Sequence, residues 1–348
     1  MTTPGRRPSG PAAWFGGTLA TGLSRVTDDP DELDSGGWWA VLVTFEGERR
    51  FYRFDHRTPS ARPPSSTPLP PREPWVSSLD RPAYERAVGQ IRDRIREGDV
   101  YQVNLCRTLS TPQHPDDDPW ALAAALADHN PAPWAGVIDA PASGDVRATR
   151  LVTASPELGL ARDGLQLTSS PIKGTAPTAA ELLPKDTAEN VMIVDLVRND
   201  LQRVCEPGTV AVPALLTVEH HPGLVHLVST VSGTLRPGTG WRAILEALTP
   251  AGSVSGAPKS SALTAIRALE PVERGPYCGL VGFVDADAGC ARLAVAIRTF
   301  WWDDGRLHFG TGAGITWGSD PRREWDETEL KARHLVRVAG GMARQGQP

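Results

Sequence analysis

The stretch Pro171-Ile172-Lys173-Gly174-Thr175 lies near the middle of the chain and carries one lysine between an apolar residue and a glycine. The segment Leu165–Thr168 before it reads as a strand, and Ala176–Pro184 after it is typical of a loop that leads into a helix. The glycine would let a ligand approach the backbone closely. In a dry site the amine of Lys173 would lose its proton readily and become nucleophilic, whereas an ordinary surface lysine is the alternative.

The rest of the chain divides into blocks of strands and blocks of helices around this stretch. Alternating apolar residues predict strands at 13–20, 38–54, 100–105, 134–138, 150–153, 280–284, 293–300 and 307–315. An apolar stripe at Tyr84, Val88, Ile91 and Ile95 predicts a helix that Gly98 ends. Further helices are expected at 120–128, 187–204, 241–248, 258–269 and 321–338. Because the two kinds of element are segregated, an α+β fold is favoured over a doubly wound parallel sheet.

Composition shifts along the chain predict its organisation. Residues 1–12 resemble a disordered tail, and residues 13–57 form a short N-terminal subdomain that contains strands. Residues 58–74 are crowded with proline and serine, so we expect a linker or surface loop there. The main body then covers residues 75–340.

The chain has 348 residues, a formal net charge of −5 and 22% charged residues, which is typical of a globular enzyme. This charge gives no basic footprint for nucleic acid. The four cysteines are far apart and indicate buried thiols in a reducing compartment. Arg6-Arg7 is followed by no apolar signal region, and no apolar run is long enough to span a membrane. We therefore expect a cytoplasmic protein without membrane or nucleic acid partners.

Two acidic pairs with i, i+3 spacing stand at predicted helix starts. They are Asp186 with Glu189 and Glu324 with Glu327. This spacing places both carboxylates of a pair on one helical face. Carboxylates also stabilise a helix N-terminus, so capping is the simple interpretation. If the pairs converge, their oxygen atoms would suit Mg²⁺.

Several other residues are candidates for binding or proton transfer. The glycine-rich run Gly310–Gly314 fits no dinucleotide motif, but its amides could bind an anion. Arg298 is a charge on an apolar strand, where it needs either an ion-pair partner or an anionic ligand. His226 is a core histidine or a site residue. Glu157 follows a strand and would become a general acid if it is buried.

Together these motifs resemble the chorismate-utilising enzymes over about residues 80–340. The segments that carry the resemblance are 98–105, Ser155-Pro156-Glu157, 171–175, 188–201, 226–229, 252–259, 274–279, 296–299, 312–315 and 327–332. The resemblance implies an α+β chorismate-binding fold like that of anthranilate synthase component I. In that fold two large antiparallel sheets pack with flanking helices, and the active site lies between the sheets.

Two positions indicate the reaction within this family. Enzymes that add water at C2 of chorismate have a lysine where this chain has Gln102, and anthranilate synthases have an alanine where it has Lys173. A lysine at position 173 resembles aminodeoxychorismate synthase component I. The resemblance implies that Lys173 attacks C2 as the 4-hydroxyl leaves, and that ammonia then attacks C4 and expels the lysine. Anthranilate synthase component I and an inactive chorismate-binding subunit are the alternatives.

The resemblance also implies roles for the remaining candidates. Glu157 resembles the general acid for the departing hydroxyl, and His226 resembles a neighbour of the ring carboxylate. Mg²⁺ would be bound by Glu189 and Glu327, with help from Asp186 and Glu324. The substrate-binding residues implied are Arg298, Tyr277, Lys331, Gly312, Gly314 and Thr175.

No cysteine stands in the Gly-x-Cys-x-Gly turn that a glutaminase nucleophile needs. The resemblance therefore implies a separate glutamine amidotransferase subunit that supplies ammonia. A further lyase would release pyruvate and give 4-aminobenzoate for folate, or a secondary-metabolite pathway would use the same product.

Overall fold

The structure, a computed structural model, describes residues 7–65, 67–176, 178–182, 184–221 and 224–341; for residues 175, 184–186, 220–221 and 224 it describes the backbone alone. The α-helices of the described residues are α1 (Arg81–Glu97), α2 (Pro119–His129), α3 (Pro184–Gln202), α4 (Trp241–Leu248), α5 (Lys259–Leu269) and α6 (Pro321–Ala339). Each helix predicted from the sequence is present, with ends that differ by a few residues.

The β-strands of the described residues alternate with these helices in blocks. They are β1 (Ala12–Phe15), β2 (Thr18–Thr27), β3 (Trp38–Val43), β4 (Arg49–Pro59), β5 (Val76–Ser77), β6 (Gln102–Pro112), β7 (Trp134–Ala140), β8 (Thr149–Ser155), β9 (Leu158–Asp163), β10 (Gln166–Ser170), β11 (Ile172–Ala176), β12 (Ala211–His221), β13 (Leu224–Thr234), β14 (Gly256–Ala257), β15 (Leu280–Asp285), β16 (Cys290–Val295), β17 (Thr299–Asp303) and β18 (Arg306–Ile315).

The strands form two antiparallel sheets that share one corner. In the first sheet the neighbours run β1–β7–β8–β17–β18–β6, and β5 and β14 also pair with β6. In the second they run β2–β4–β3–β15–β16–β9–β10–β13, and β11 and β12 also pair with β13. The β1–β2 hairpin joins the two sheets. The predicted α+β fold with two large antiparallel sheets is confirmed.

Helix α1 follows from local sequence rules. The side chain of Asp80 accepts a hydrogen bond from the helix start, and Pro82 occupies the first turn. Gly98 ends the helix in the left-handed conformation, with φ of 84°. The predicted stripe packs inward, since Tyr84 and Val88 are fully buried. Burial of this face fixes α1 against the strand β6 that follows it.

The chain crosses between the two sheets at two adjacent points. One crossing connects β8 to β9 through Glu157, and the other connects β16 to β17 through Arg298. The amide of Val295 donates to the carbonyl oxygen of Glu157 at 3.1 Å, and the amide of Ala154 donates to that of Arg298 at 3.0 Å. The prediction of one continuous strand over 293–300 was wrong. Arg298 breaks it with a positive φ of 51°, which the apolar pattern does not encode.

A buried ion pair between Arg274 and Glu270 connects several parts of the main body. The guanidinium of Arg274 contacts the carboxylate of Glu270 at 2.6 Å and donates to the carbonyl oxygens of Val254 and Asn104 at 2.8 and 2.7 Å. The side chains of the ion pair are 2% and 5% exposed. The pair therefore connects the end of α5 to β6 and to the turn before α5.

We expect Arg274→Met to lower the free energy of unfolding by about 3–5 kcal/mol, because it leaves the charge of Glu270 buried without its ion-pair partner. Urea unfolding followed by circular dichroism measures this change. Arg242→Met is the matched control, since Arg242 makes its ion pairs with Asp29 and Asp31 at the exposed surface. Equal losses in the two variants would contradict the role given to Arg274.

The N-terminal region contributes strands to both sheets. Strand β1 begins at Ala12, and residues 1–6 lie outside the described part of the chain. In the proline-rich segment, Pro63 and Pro64 are buried, and Leu69 packs against the apolar cluster beside α2 and α6. The division into tail, subdomain, linker and catalytic domain remains a prediction. Among the described helices, none has the length and apolar character needed to cross a membrane.

Candidate active site

A cavity of about 880 Å³ lies beside the crossings, with walls from both sheets and from α3 and α6. This volume suits a small-molecule ligand. The predicted site residues that line it are Glu157, Lys173, Glu189, His226, Tyr277, Arg298, Gly312, Gly314, Glu324, Glu327 and Lys331. The remaining two, Thr175 and Asp186, lie on β11 and α3, and their side chains are outside the described part of the structure.

Lys173 stands on β11 and lines this cavity. Its Nζ lies 3.7 Å from the position that a Cβ on Gly314 would occupy, on the opposite sheet. Gly174 follows with φ of 86°, a conformation that favours glycine. The strand register pairs Thr175 with His226 on β13, and the His226 side chain is buried. Lys173, the predicted nucleophile, and His226, the predicted neighbour of the ring carboxylate, therefore lie on adjacent strands.

Glu157 is 4% exposed and lies in the first crossing. Its amide donates to Ser155 Oγ at 3.2 Å, and that hydroxyl donates to the Val295 carbonyl oxygen at 2.6 Å. Burial raises the pKa of the Glu157 carboxyl, while a hydrogen bond with the Ser253 side chain and the charge of Lys173 oppose the rise. A buried carboxyl of this kind can hold a proton at higher pH than an ordinary glutamate.

The free edge of β18 presents backbone groups to the cavity. Strand β18 pairs with β17 only as far as Phe309, so β6 is the only described strand that pairs with its last residues. On β6, the amide of Cys106 donates to the Glu270 carboxylate and the amide of Asn104 donates to the Ser255 carbonyl oxygen. Both amides therefore point away from β18. In an antiparallel ladder their partners Gly312 and Gly314 then also direct their N–H and C=O groups outward. These amides can bind an anion.

Two further groups suit an anionic ligand. Burial lowers the pKa of the Arg298 guanidinium, and no acidic side chain in the described ranges forms an ion pair with it. The ring of Tyr277 lies flat against Gly310, where any Cβ would meet it at 2.1 Å. Burial raises the pKa of the Tyr277 phenol, so its hydroxyl remains a hydrogen-bond donor. A cation without an ion-pair partner among the described residues and a neutral donor favour a carboxylate here.

Acidic residues of α3 and α6 also line the cavity. Glu189 comes from α3, and Glu324 and Glu327 come from α6. The Glu327 carboxylate contacts Lys331 Nζ at 2.7 Å, and this ammonium also donates to the Gly312 carbonyl oxygen at 3.1 Å. Lys331, a predicted substrate-binding residue, is thus paired with Glu327, a predicted metal ligand. Within the described side chains, no group of three His, Cys, Asp or Glu residues is assembled closely enough to hold a metal ion.

The cavity also includes polar residues that were not among the predicted site residues. Asn104 and Ser253 line it, and Asn104 Nδ2 donates to Cys106 Sγ at 3.3 Å. Both lie inside the motifs at 98–105 and 252–259, so the motif pattern itself could have indicated them. Glu181 also lines the cavity and lies outside these motifs.

Comparison with known proteins identifies the family. The family described as chorismate binding enzyme matches residues 37–337. The chain belongs to this family. In solved structures, anthranilate synthase component I from Streptococcus pneumoniae has a TM-score of 0.75 at 25% identity, covering 97% of this chain and 93% of that one. The 2,3-dihydroxybenzoate-specific isochorismate synthase from Bacillus anthracis has a TM-score of 0.80 at 25% identity, covering 95% and 96%.

Curated relatives carry two different names. The chain is 40% identical to anthranilate synthase component 1 of Thermus thermophilus, over 89% of this chain and 65% of that protein. It is 32% identical to aminodeoxychorismate synthase component 1 of Klebsiella aerogenes, over 86% of this chain and 68% of that protein. The chain thus spans less than two thirds of the Thermus relative. Membership of the chorismate binding family therefore does not by itself decide which reaction this chain catalyses.

Proposed function

We propose that this chorismate binding enzyme is an aminodeoxychorismate synthase component I, which replaces the 4-hydroxyl of chorismate by an amino group. The observation that carries the proposal is the position of Lys173. Its amine lies beside the edge of Gly314, and its charge acts on the buried carboxyl of Glu157. A primary amine and a proton donor at one place are what a covalent substitution requires.

In the first step the Lys173 amine attacks C2 of the ring, and the ring double bonds shift toward C4. The C4–O bond breaks, and the leaving hydroxide takes the proton of Glu157 and departs as water. In the second step ammonia attacks C4, the double bonds shift back, and the C2–N bond to Lys173 breaks. The sum is chorismate plus ammonia giving aminodeoxychorismate plus water. Each displacement is easier than a direct substitution at C4.

The rest of the cavity supports binding of a dianion. Arg298 and the Tyr277 hydroxyl, together with the outward amides of Gly312 and Gly314, would hold the enolpyruvyl carboxylate. Lys331 adds a positive charge beside Gly312. His226, buried on β13, would lie near the ring carboxylate. These groups orient C2 toward Lys173 and keep water from the reacting atoms.

Although no three of them are assembled as a metal site within the described side chains, the carboxylates that line this cavity are of the kind Mg²⁺ uses, one or two at a time, together with waters and substrate oxygens. Glu189 and Glu327 would bind it from two helices, and Glu324 lines the same cavity. Asp186, whose side chain lies outside the described part of the structure, keeps its assisting role as part of the proposal. When bound, the ion would neutralise the ring carboxylate and orient the substrate.

We expect Glu327→Gln to weaken Mg²⁺ binding by at least about tenfold, since it removes a charged ligand. Titration calorimetry with Mg²⁺ in the presence of chorismate measures the affinity. Glu246→Gln, on the exposed surface of α4, is the control. Unchanged Mg²⁺ affinity in Glu327→Gln would remove this residue from the metal site.

The nitrogen source is the second part of the proposal. The name "component 1" of both relatives refers to a protein with a partner. We propose a separate glutamine amidotransferase subunit as the ammonia donor, with free ammonium as a poor substitute. Full glutamine-dependent activity of the purified chain alone would contradict it.

Anthranilate synthase component I is the second candidate. The identity of 40% to the Thermus anthranilate synthase favours it over the 32% to the Klebsiella aminodeoxychorismate synthase. In that reaction nitrogen enters at C2, and Lys173 forms no bond to the ring. A chorismate-binding subunit without activity is a third possibility, which the presence of Lys173, Glu157, Glu189 and Glu327 disfavours.

Intact-protein mass spectrometry separates these candidates. With chorismate and Mg²⁺ but no ammonia, the proposed enzyme accumulates an adduct of chorismate minus water on Lys173. Peptide mapping locates the adduct. An anthranilate synthase or an inactive subunit gives no such adduct, and its absence from the wild type incubated with chorismate and Mg²⁺ without ammonia contradicts the proposal.

A further inference from the structure

Lys331 on α6 contacts two groups that have different roles in the proposed function. Its Nζ lies 2.7 Å from a carboxylate oxygen of Glu327, one turn earlier on the same helix, and donates to the Gly312 carbonyl oxygen at 3.1 Å. All three residues line the cavity. Glu327 is a predicted metal ligand, and the edge at Gly312 is where the substrate carboxylate would bind. One ammonium therefore contacts both the metal ligand and the anion-binding edge.

The ion pair with Lys331 competes with metal binding at Glu327. An ammonium and Mg²⁺ that share one carboxylate repel each other, because both are cations at short distance. Within the described side chains, no three potential ligands are assembled as a metal site, and the Glu327 carboxylate contacts Lys331 instead. The side chains of Lys331 and Glu327 are 52% and 40% exposed, so the pair can open at small cost. A ligand that draws Lys331 away would leave Glu327 available to a metal.

An anion at the edge of Gly312 is a ligand of this kind. The ammonium of Lys331 has three donors and no acceptor, and the Gly312 carbonyl oxygen occupies one of them. A substrate carboxylate on the outward amide of Gly312 would lie beside the same ammonium. It can replace Glu327 as the anionic partner through a rotation of the lysine side chain, while the contact with the carbonyl oxygen is kept. The exchange moves no proton and forms no covalent bond.

We propose that Lys331 holds Glu327 in the absence of substrate and releases it to Mg²⁺ when the substrate carboxylate binds; this inference rests on the metal and substrate sites of the proposed function. Chorismate then tightens Mg²⁺ binding, and Mg²⁺ tightens chorismate binding by the same factor, because the coupling between two ligands is reciprocal. Lys331 is thereby the residue that couples the two binding events.

Titration calorimetry with Mg²⁺ alone, without chorismate, tests the inference. We expect Lys331→Met to bind Mg²⁺ at least about fivefold more tightly than the wild type, because the ammonium no longer competes for Glu327. Lys331→Arg keeps a cation beside Glu327 and should retain the weak affinity of the wild type. Arg323→Met is the matched control, since it removes one positive charge from the same helix and the same cavity. Its Mg²⁺ affinity should remain close to that of the wild type.

Two further measurements show whether the effect acts through Glu327. The gain in Mg²⁺ affinity should disappear in the double variant Lys331→Met/Glu327→Gln, because the released carboxylate is then absent. Saturating chorismate should tighten Mg²⁺ binding more in the wild type than in Lys331→Met, where Glu327 is already available. A gain that persists in the double variant overturns the inference, and so does equal tightening by chorismate in the two proteins.

The remaining outcomes separate this inference from the proposed function. Unchanged Mg²⁺ affinity in Lys331→Met overturns the inference, even where the wild type forms aminodeoxychorismate. Equal tightening in Arg323→Met also overturns it, because that indicates a general effect of cavity charge. If Lys331→Met alone gains affinity but the wild-type product is anthranilate, the proposed function fails and the inference stands, since no binding measurement includes the amination step.

Discussion

Lys173→Ala is expected to reduce formation of aminodeoxychorismate by at least about 10³-fold, which is the scale of removing a covalent nucleophile. The physical reason is that C4 then has to be substituted directly, without the intermediate that carries lysine at C2. Product formation from chorismate, Mg²⁺ and high ammonium, followed by liquid chromatography and mass spectrometry, measures the loss. The KM for chorismate should change little, because Arg298, Tyr277 and the glycine amides remain.

Lys173→Arg is the control for charge in the same experiment. It keeps a cation near Glu157 but cannot act as a nucleophile, since the guanidinium stays protonated. Both variants should lose the adduct and the product. Substantial aminodeoxychorismate from Lys173→Ala would show that the lysine serves another purpose, such as holding the charge of the substrate.

Glu157→Gln is expected to lower kcat by about 10²–10⁴-fold, because the departing hydroxide loses its proton donor. The wild type should lose activity as the pH rises through the pKa of Glu157, since only the protonated carboxyl can act. Burial raises that pKa, so activity persists to a higher pH than for an exposed glutamate. The pH dependence of kcat at saturating ammonium in both proteins measures the effect.

The residual activity of Glu157→Gln should show no decline at the pH where the wild type declines. The two proteins are therefore compared by how kcat changes with pH, and not by the size of kcat alone. A variant that retains the same alkaline decline would assign that ionisation to another group. An unchanged kcat would remove Glu157 from the reaction.

Much of the fold could be predicted from local patterns in the sequence. The stripe through Tyr84 and Val88 and the stop at Gly98 give α1, because a helix buries one face and ends where a left-handed residue is available. Segregated blocks gave the α+β class. The crossing at Arg298 could not be predicted, since the apolar residues around it fit a continuous strand. Its positive φ arises from the paired crossings, which are a tertiary feature.

The composition of the site could be predicted more readily than its contacts. Motif spacing placed Lys173, Glu157 and Glu327 in one family pattern, and the structure places them around one cavity. The ion pair between Lys331 and Glu327 has the i, i+4 spacing of a helix, so it could have been anticipated. The approach of Lys173 Nζ to the edge of Gly314 could not be predicted, because it depends on how two strands that are far apart in the sequence lie in the folded chain.

The central claim is that this chain aminates chorismate at C4, and the identity of the wild-type product tests it most directly. Chorismate, Mg²⁺ and high ammonium at slightly alkaline pH are incubated with the protein, and the product is analysed by mass spectrometry. The account predicts a major product with the mass of aminodeoxychorismate and no release of pyruvate. Anthranilate together with pyruvate would contradict it and assign the chain to amination at C2.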